Sequence, residues 1–437
     1  MNRKPVNRIV LTRRRLLQTA GALLAGSVVA RNAGWVTRPS KSTSAGPKSP
    51  EASNEQVLYG KHTLPRGIRS RLVDNNNGLV MHILEAGFQE PRRPCVVLLH
   101  GFPELAYTWR NQLLPLASAG FHVIAPDLRG YGLTTSKPVS LSDSLVPYMM
   151  LNRVTDVLGL VRAIGYESVA CVVGHDWGGP AAAWCARARP DVFRSVVSMS
   201  TPFDGAPSLP FDSANGRRPA VSHLSLEETL AALPRPRKLY TRYYASTEAN
   251  YDLWHPAQGV HDLLRAMWYF KSADWKGNRP FPLKSWSAAE YSNLPTYYVM
   301  DLHLGMAQTV AQHMPSRQYI ASCRWLTNAD LDVYTRQYMR TGFQGGLNSY
   351  RILVNPEFSG ETKCFSDRTV DVPACFIAGA EDWGVRQAPG AFENMRKACT
   401  KLLGAHLIPM AGHWVAEEQP ARVNELLLSF LQQAHRA

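Results

Sequence analysis

The chain has 437 residues, 45% of them hydrophobic and 19% charged, which excludes disorder of the whole chain and provides apolar material for a large core. That length is more than one compact domain usually needs, so we expect a core together with an inserted or attached domain. Of the formal net charge of +14, ten positive charges lie in residues 1–50, which contain no acidic residue; the remaining +4, with no basic stripe among aromatic residues, argues against a nucleic-acid partner.

The N-terminal segment predicts export. Residues 12–17 read Thr-Arg-Arg-Arg-Leu-Leu and precede an uncharged run to Ala30, a pattern that resembles a bacterial twin-arginine signal. We therefore expect residues 1–30 to be a signal peptide, recognised by the twin-arginine export machinery, and residues 31–55 to be a flexible linker. The protein would then be periplasmic or secreted. The apolar run is too short for stable membrane insertion; the alternative is a basic disordered tail.

The seven cysteines show neither a CxxC pair nor a metal-ligand spacing, so we expect no metal site and no disulfide framework. Cys95, Cys171 and Cys375 lie in or beside apolar runs, where a free thiol packs like a small hydrophobic group. A single bridge involving Cys323 or Cys364 stays open.

Continuous apolar runs bounded by turn residues predict buried strands. They cover residues 95–99, 122–125, 169–173, 196–199 and 374–378. Helical patterns lie between them, for example over 154–164 and 179–187. Strands that are hydrophobic on both faces and alternate with helices predict an α/β fold with a mostly parallel, doubly wound sheet.

The alternation stops near residue 204 and resumes near residue 370, and the segment between is rich in aromatic residues and helical patterns. We predict a helical cap over 205–356, inserted between two parts of the core, 56–204 and 357–437. A lid of this kind would enclose a pocket and exclude water, which suits chemistry on a small apolar substrate.

The most specific motif is Gly-His-Asp-Trp-Gly-Gly over residues 174–179, directly after a predicted buried strand and before an Ala-rich helical pattern. Small residues around a sharp strand-to-helix turn are typical of a nucleophile elbow, whose apex residue here is Asp176. An ordinary Gly-rich turn is the alternative. A carboxylate attacks without a base but is a weak nucleophile, so it needs a strained or activated carbon and forms an ester. Water must then hydrolyse that ester, which requires a base and an oxyanion hole.

The base and its partner follow in the order that this fold demands. His413 lies after the last apolar run and before a C-terminal helical pattern, and is predicted to activate the water. The acid that orients it should follow the preceding strand, where we choose Asp382 and keep Glu381 as the fallback.

The oxyanion donors should come from the loop after an early strand and from the elbow. The sequence His-Gly-Phe-Pro-Glu over residues 100–104 occupies that loop. We therefore expect the backbone N–H groups of Phe102 and Trp177 to bind the oxyanion.

Taken together, these motifs resemble the epoxide hydrolase branch of the α/β-hydrolase superfamily. Four blocks carry the resemblance over residues 60–437: 100–104, Asp-Leu-Arg-Gly-Tyr-Gly at 127–132, 174–179, and Gly-His-Trp at 412–414. The resemblance implies an α/β-hydrolase fold with a cap, no cofactor, and an activity that opens a small apolar epoxide with water to a vicinal diol.

The resemblance also implies two cap tyrosines that bind the epoxide oxygen and donate a proton. It maps one onto Tyr350 and the other onto Tyr240, with Tyr243 or Tyr244 open as substitutes. The residues expected to contact substrate are His100, Pro103, Trp177, Tyr243 and Tyr244. Residues 246–320 depart from typical caps of the family, so the particular substrate stays unassigned.

Two other functions stay open. Haloalkane or haloacid dehalogenation would use the same Asp176, Asp382 and His413, with halide-holding donors such as Trp177 in place of proton donors. A non-catalytic binding protein on a hydrolase fold is the alternative from another class, and the intact set of three residues counts against it.

Overall fold

The computed structural model describes Tyr59 and residues 62–206 and 223–436, apart from the side chains of 223–225 and 359. The predicted signal peptide and linker lie outside the described residues.

The described residues form ten strands. They are β1 (Arg69–Asp74), β2 (Val80–Ala86), β3 (Cys95–Leu99), β4 (His122–Pro126), β5 (Cys171–His175), β6 (Val196–Met199), β7 (Arg237–Leu239), β8 (Val299–Asp301), β9 (Ala374–Gly379) and β10 (Leu402–Ile408). Eight of them form one sheet in the order β1-β2-β4-β3-β5-β6-β9-β10. The pairs β1–β2 and β2–β4 are antiparallel, and all other neighbours in this sheet are parallel.

Sixteen α-helices accompany these strands within the described residues. They are α1 (Arg110–Ser118), α2 (Met150–Ala163), α3 (Gly178–Ala188), α4 (His223–Ala231), α5 (Tyr240–Tyr244), α6 (Ala249–Trp254), α7 (Gly259–Lys271), α8 (Ala288–Tyr291), α9 (Met306–Ala311), α10 (Arg317–Ser322), α11 (Asn328–Thr341), α12 (Gln344–Leu353), α13 (Gly360–Lys363), α14 (Ala391–Ala398), α15 (Val415–Glu418) and α16 (Pro420–Arg436).

The central strands are buried on both faces, because helices cover the sheet from both sides. In β3, Val96 and Leu98 pack into one apolar cluster, which includes residues of α1 and α16. Val97 and Leu99 point the other way, into a second cluster with residues of α2 and α3. This two-sided burial is the reason that the strands read as continuous apolar runs. The prediction of a mostly parallel, doubly wound α/β sheet is confirmed.

We call the described elements between β6 and β9 the cap. They comprise α4 to α13 and a small antiparallel sheet of β7 and β8. The sequence predicted only helices here, since these two strands are three residues long each and too short to show a period. The residue limits proposed for the cap and for the two parts of the core stay predictions.

The described residues also bear on membrane insertion and on disulfide bonds. No helix among the described residues is both long and apolar enough to span a membrane. Every cysteine that the structure describes is a free thiol, and Cys95, Cys171 and Cys375 are buried as expected.

Candidate active site

Asp176 lies at the apex of a sharp turn between β5 and α3. Its φ of 49° is in the left-handed region, which a residue with a side chain rarely adopts. The turn is so tight that a Cβ on Gly174 would lie 1.9 Å from the carbonyl oxygen of Gly178, and a Cβ on Gly178 would lie 2.2 Å from that of Leu99. Only glycine fits at these two positions, and the turn projects the Asp176 carboxylate above the carboxyl ends of the strands.

The two carboxylate oxygens of Asp176 have different surroundings. Oδ1 accepts a hydrogen bond of 2.9 Å from the backbone N–H of Phe102. Oδ2 lies 3.6 Å from Nε2 of His413, beyond hydrogen-bond distance. One oxygen is therefore held by the backbone, and the other remains available to react.

The electrostatic surroundings keep Asp176 ionised. Burial opposes ionisation, but the neighbouring His413, Lys271 and His175 outweigh it and hold the pKa of Asp176 well below its usual value. The candidate nucleophile is thus a carboxylate at neutral pH.

His413 is oriented by Asp382. Both carboxylate oxygens of Asp382 lie 3.2 Å from Nδ1 of His413, and Oδ1 also accepts a hydrogen bond of 2.7 Å from the backbone N–H of Gly384. The interaction with His413 outweighs the burial of Asp382 and lowers the pKa of that carboxyl. Since Nδ1 faces a carboxylate, it carries the proton, and Nε2 is left as the basic nitrogen. Within the described residues, Nε2 has no hydrogen-bond partner.

Glu381, the fallback for orienting His413, bonds to the backbone and not to the imidazole. Its carboxylate oxygens accept hydrogen bonds from the backbone N–H groups of Met410 and Ala411 at 3.4 and 3.2 Å. It therefore braces the loop that precedes His413, and the geometry favours Asp382 as the partner of the imidazole.

A cavity of about 360 Å³ lies between the core and the cap. The residues that line it include Phe102 and Pro103 from the core and Tyr240, Tyr244, Lys271 and Tyr350 from the cap.

Three of the predicted tyrosines meet at this cavity. The ring of Tyr350 lies 5.9 Å from that of Tyr240 and 4.8 Å from that of Tyr244. The Tyr240 hydroxyl donates to Oε1 of Gln387 at 3.2 Å. Burial and the charge of Asp176 raise the pKa values of Tyr240 and Tyr350 well above the usual value. Both phenols therefore stay protonated at neutral pH and can yield a proton only to a strongly basic oxygen.

Tyr243 requires a correction, because it does not line the cavity. Its hydroxyl donates to Oδ2 of Asp252 in α6, and the same oxygen accepts the backbone N–H of Ala307 at 3.0 Å. Tyr243 therefore ties cap elements together, and its hydroxyl is bonded within the cap and not at the cavity.

His100 was also expected to contact substrate, and it does not line the cavity either. Its Nε2 accepts a hydrogen bond of 3.0 Å from the backbone N–H of Leu128, and its Nδ1 donates to the carbonyl oxygen of Gly101 over 2.8 Å. Burial lowers its pKa and keeps the ring neutral. The imidazole is fully buried and holds the Phe102 loop in place from beneath.

Trp177 lies where predicted in the elbow, at the N-terminal end of α3. Its ring meets that of Tyr350 edge-on at 5.2 Å. Among the described residues, its backbone N–H forms no hydrogen bond with Asp176, so Phe102 is the donor that the geometry provides.

An ion pair that was not predicted from the sequence lies beneath the nucleophile. Nδ1 of His175 lies 2.7 Å from Oε2 of Glu104, and its Nε2 lies 2.7 Å from the carbonyl oxygen of His413. Both ring nitrogens face acceptors, so both carry protons. Although burial opposes the charge, Glu104 raises the pKa of His175 to about 9. Both residues stood inside the quoted motifs, but nothing in the motifs indicated a pair.

Two sets of hydrogen bonds between the cap and the His413 loop were not predicted from the sequence either. The carbonyl oxygen of Lys271, the last residue of α7, accepts the backbone N–H of His413 at 2.9 Å. The carboxylate of Glu418 accepts backbone N–H groups of Gly412 and Trp414 at 2.9 and 3.0 Å, and that of Ala273 in the cap at 2.8 Å. No sequence signal marked either residue.

Comparison with known proteins gives consistent matches. The family model described as alpha/beta hydrolase fold matches residues 94–420. Epoxide hydrolase B of Mycobacterium tuberculosis is 33% identical over 365 residues, which cover 82% of this chain and 96% of that protein. An epoxide hydrolase of Caballeronia sordidicola is 31% identical, covering 81% of this chain and 91% of that one. Among solved structures, an epoxide hydrolase from an endophytic Streptomyces has a TM-score of 0.67 at 30% identity, covering 85% of this chain and 98% of the other.

Proposed function

This chain belongs to the α/β-hydrolase fold family, among its epoxide hydrolases, and from that membership and the geometry of the site we infer that it converts an epoxide and water to a vicinal diol. The observation that carries the assignment is an ionised aspartate at the apex of the elbow, next to the histidine–aspartate pair of His413 and Asp382. A serine at this apex would imply acyl transfer, whereas a carboxylate implies an ester with an alkyl carbon.

In the first step, Oδ2 of Asp176 attacks one carbon of the epoxide and the ring C–O bond breaks. Oδ1 is held by the N–H of Phe102, so Oδ2 is the attacking oxygen. The ring oxygen leaves as an alkoxide, which takes a proton from a phenol. Tyr350 and Tyr240 are the proposed donors, since both line the cavity and both are protonated; Tyr244 lines it as well and is the substitute. Relief of the strained ring supplies the driving force that a weak nucleophile needs.

In the second step, Nε2 of His413 takes a proton from water, and the hydroxide attacks Cγ of Asp176. The charge then develops on Oδ1, which already accepts the Phe102 N–H. Asp382 stabilises the imidazolium. When the intermediate collapses, the Cγ–Oδ2 bond breaks, Oδ2 leaves as a diol hydroxyl with the proton of the newly added OH group, and the carboxylate is restored with one oxygen from water. The proton held by His413 then returns to the phenolate left by the first step.

An isotope experiment tests this mechanism. In a single turnover in ¹⁸O-water, with enzyme in excess over styrene oxide, the first diol should contain unlabelled oxygen from Asp176, and Asp176 should become labelled. Product labelled from solvent in that first turnover would contradict an ester on Asp176 and indicate direct attack by water.

Haloalkane dehalogenation could use the same nucleophile, base and acid, but a halide leaves without a proton. The phenols at the cavity and the names of the relatives favour an epoxide. Halide release from haloalkanes that is undiminished by Phe at both Tyr240 and Tyr350 would reverse this preference.

We also propose that the protein is exported to the periplasm or the medium by the twin-arginine machinery. The support is the sequence of residues 12–17 and the concentration of positive charge in residues 1–50. Replacement of Arg13 and Arg14 by Lys in a tagged full-length chain should retain the protein in the cytoplasm. The intact mass of the exported protein would report whether residues 1–30 are removed.

A further inference from the structure

Lys271 brings a positive charge to the wall of the cavity. It is the last residue of α7, its side chain is partly buried, and it lines the cavity together with Tyr240 and Tyr350. The other lining residues are aromatic, aliphatic, thioether or proline side chains. Lys271 is therefore the one basic side chain among the described residues that line the cavity.

The ammonium group of Lys271 lies among aromatic rings. Its Nζ lies 5.1 Å from the ring centre of Tyr298, 5.4 Å from that of Trp414 and 5.9 Å from that of Tyr297. Ring faces attract a cation but do not accept hydrogen bonds as carboxylate oxygens do. Within the described part of the chain, the ammonium has no ion pair within 4 Å and no hydrogen bond.

An unpaired ammonium in such surroundings is costly. Burial lowers the pKa of Lys271, and the charges of Asp176, Asp382 and Glu104 only partly compensate. Buried charges in proteins are normally paired or bind a charged ligand. The charges of Asp176, Asp382 and Glu104 act on Lys271 without a direct bond to its ammonium, so a substrate group that enters the cavity can supply a direct partner.

The surroundings also define the chemistry of that group. Met267, Met306 and Val310 give the cavity an apolar stretch, which suits a short hydrocarbon chain. The nearby carboxylates of Asp176 and Asp382 repel negative charge, so a monoanion is tolerated better than a phosphate dianion. A carboxylate on a short alkyl chain meets both conditions.

We propose that Lys271 is a specificity-determining residue that binds the carboxylate of an epoxide-bearing short-chain carboxylic acid, so that this enzyme prefers anionic epoxides over neutral ones of the same shape. The inference rests on the proposed epoxide hydrolase function. The carboxylate accepts hydrogen bonds from Nζ, while the epoxide end lies between Asp176 and the tyrosines.

Matched pairs of compounds test the proposal. Suitable substrates are 3,4-epoxybutanoate, 4,5-epoxypentanoate and 5,6-epoxyhexanoate, each compared with its primary amide, which has nearly the same shape without the charge. For at least one chain length, the wild-type protein should show a higher kcat/KM for the acid than for the amide. The variant Lys271→Met should reduce the acid-to-amide ratio of kcat/KM by about 10- to 100-fold, the range expected for loss of a hydrogen bond to a charged group.

The ratio is the informative quantity, because Lys271 also influences the charge of Asp176. Loss of that influence would slow acid and amide alike and leave the ratio unchanged, which would overturn the proposal. The matched control is Lys276→Met, since Lys276 is exposed on the following segment and should not alter the ratio.

A binding measurement separates this inference from the proposed function. Pentanoate and pentanamide cannot react, so calorimetric titration of each reports recognition alone. Tighter binding of pentanoate that is lost in Lys271→Met supports the carboxylate site even if no epoxide is turned over, a result that would count against epoxide hydrolysis. Equal binding of both compounds, or hydrolysis of amides in preference to acids at every chain length, would overturn the role of Lys271 and leave epoxide hydrolysis standing.

Discussion

The backbone N–H of Phe102 donates a hydrogen bond of 2.9 Å to Oδ1 of Asp176. This bond distinguishes two otherwise equivalent oxygens, because it assigns Oδ1 to the oxyanion site and leaves Oδ2 to attack. The site is therefore prepared for both steps of the reaction, and neither step requires the nucleophile to rotate.

The first prediction concerns the covalent intermediate. His413→Gln removes the base for ester hydrolysis but leaves Asp176 and its Phe102 contact in place. The protein should therefore accumulate an ester, seen by intact mass spectrometry as an increase of one substrate mass after addition of styrene oxide. Asp176→Asn is the control, because an amide is not a competent nucleophile and should show no increase. An unmodified mass for folded His413→Gln would rule against an ester intermediate.

The second prediction separates Asp382 from Glu381. Asp382→Asn removes the charge that faces Nδ1 of His413, so steady-state turnover should fall by about 10²- to 10⁴-fold. Glu381 bonds only to the backbone of the neighbouring loop. Glu381→Gln should therefore lower the free energy of unfolding by about 1 kcal/mol while turnover stays within a few-fold of the wild-type value. Turnover and thermal unfolding of both variants decide the assignment, and equal losses of turnover would count against it.

The third prediction concerns the proton donors. Replacement of both Tyr240 and Tyr350 by Phe should slow formation of the ester by about 10²- to 10⁴-fold, because the alkoxide then leaves without a proton. Trp177 contacts Tyr350, so stopped-flow tryptophan fluorescence should report this step. Tyr243→Phe is the matched control, since the Tyr243 hydroxyl bonds to Asp252; it should affect stability and not the rate. If Tyr244→Phe slows the step and Tyr240→Phe does not, the second donor is Tyr244.

The fourth prediction concerns pH and the His175–Glu104 pair. Folding raises the pKa of His175 from 6.5 to about 9, so the folded state binds the proton more tightly than the unfolded chain. The stabilisation is then fully present below pH 6.5 and is lost as the pH rises toward 9. The wild-type Tm should accordingly fall over that interval, and the double variant Glu104→Gln/His175→Gln should show a smaller fall.

The control for the pH experiment is Asp191→Asn, which breaks an exposed ion pair with Arg189 and should leave the slope of Tm against pH unchanged. A double variant with the same slope as the wild-type protein would show that His175 is not charged in the folded state.

The sequence predicted the core strands and the catalytic candidates whose places in the fold follow from their order along the chain. The strands β3, β4, β5, β6 and β9 were visible because both faces are buried, and Asp176, Asp382 and His413 follow defined strands in the order that the fold requires. Strand β2 is buried too but was not predicted, since His82 and Glu85 interrupt its apolar run. By contrast, β1 is mostly exposed or partly buried and has no apolar run, so no pattern marked it.

The direction of individual side chains could not be predicted in this way. Tyr240 and Tyr244 are four residues apart in α5 and share a helix face toward the cavity, whereas Tyr243 turns toward Asp252. His100 stands in a motif, yet both of its ring nitrogens are occupied by backbone groups. Such outcomes depend on where each side chain lies in the folded chain, and a sequence motif does not specify that position.

The bonds from Lys271 and Glu418 to the backbone around His413 have a mechanical consequence. Lys271 belongs to α7 and Ala273 follows it, so the end of this cap helix and the loop that carries the base form one hydrogen-bonded unit. If α7 moved away from the core with these bonds intact, it would displace the His413 imidazole from its position beside Asp176. We therefore expect substrate entry and diol exit to leave α7 in place, so that the base keeps its alignment with Asp176.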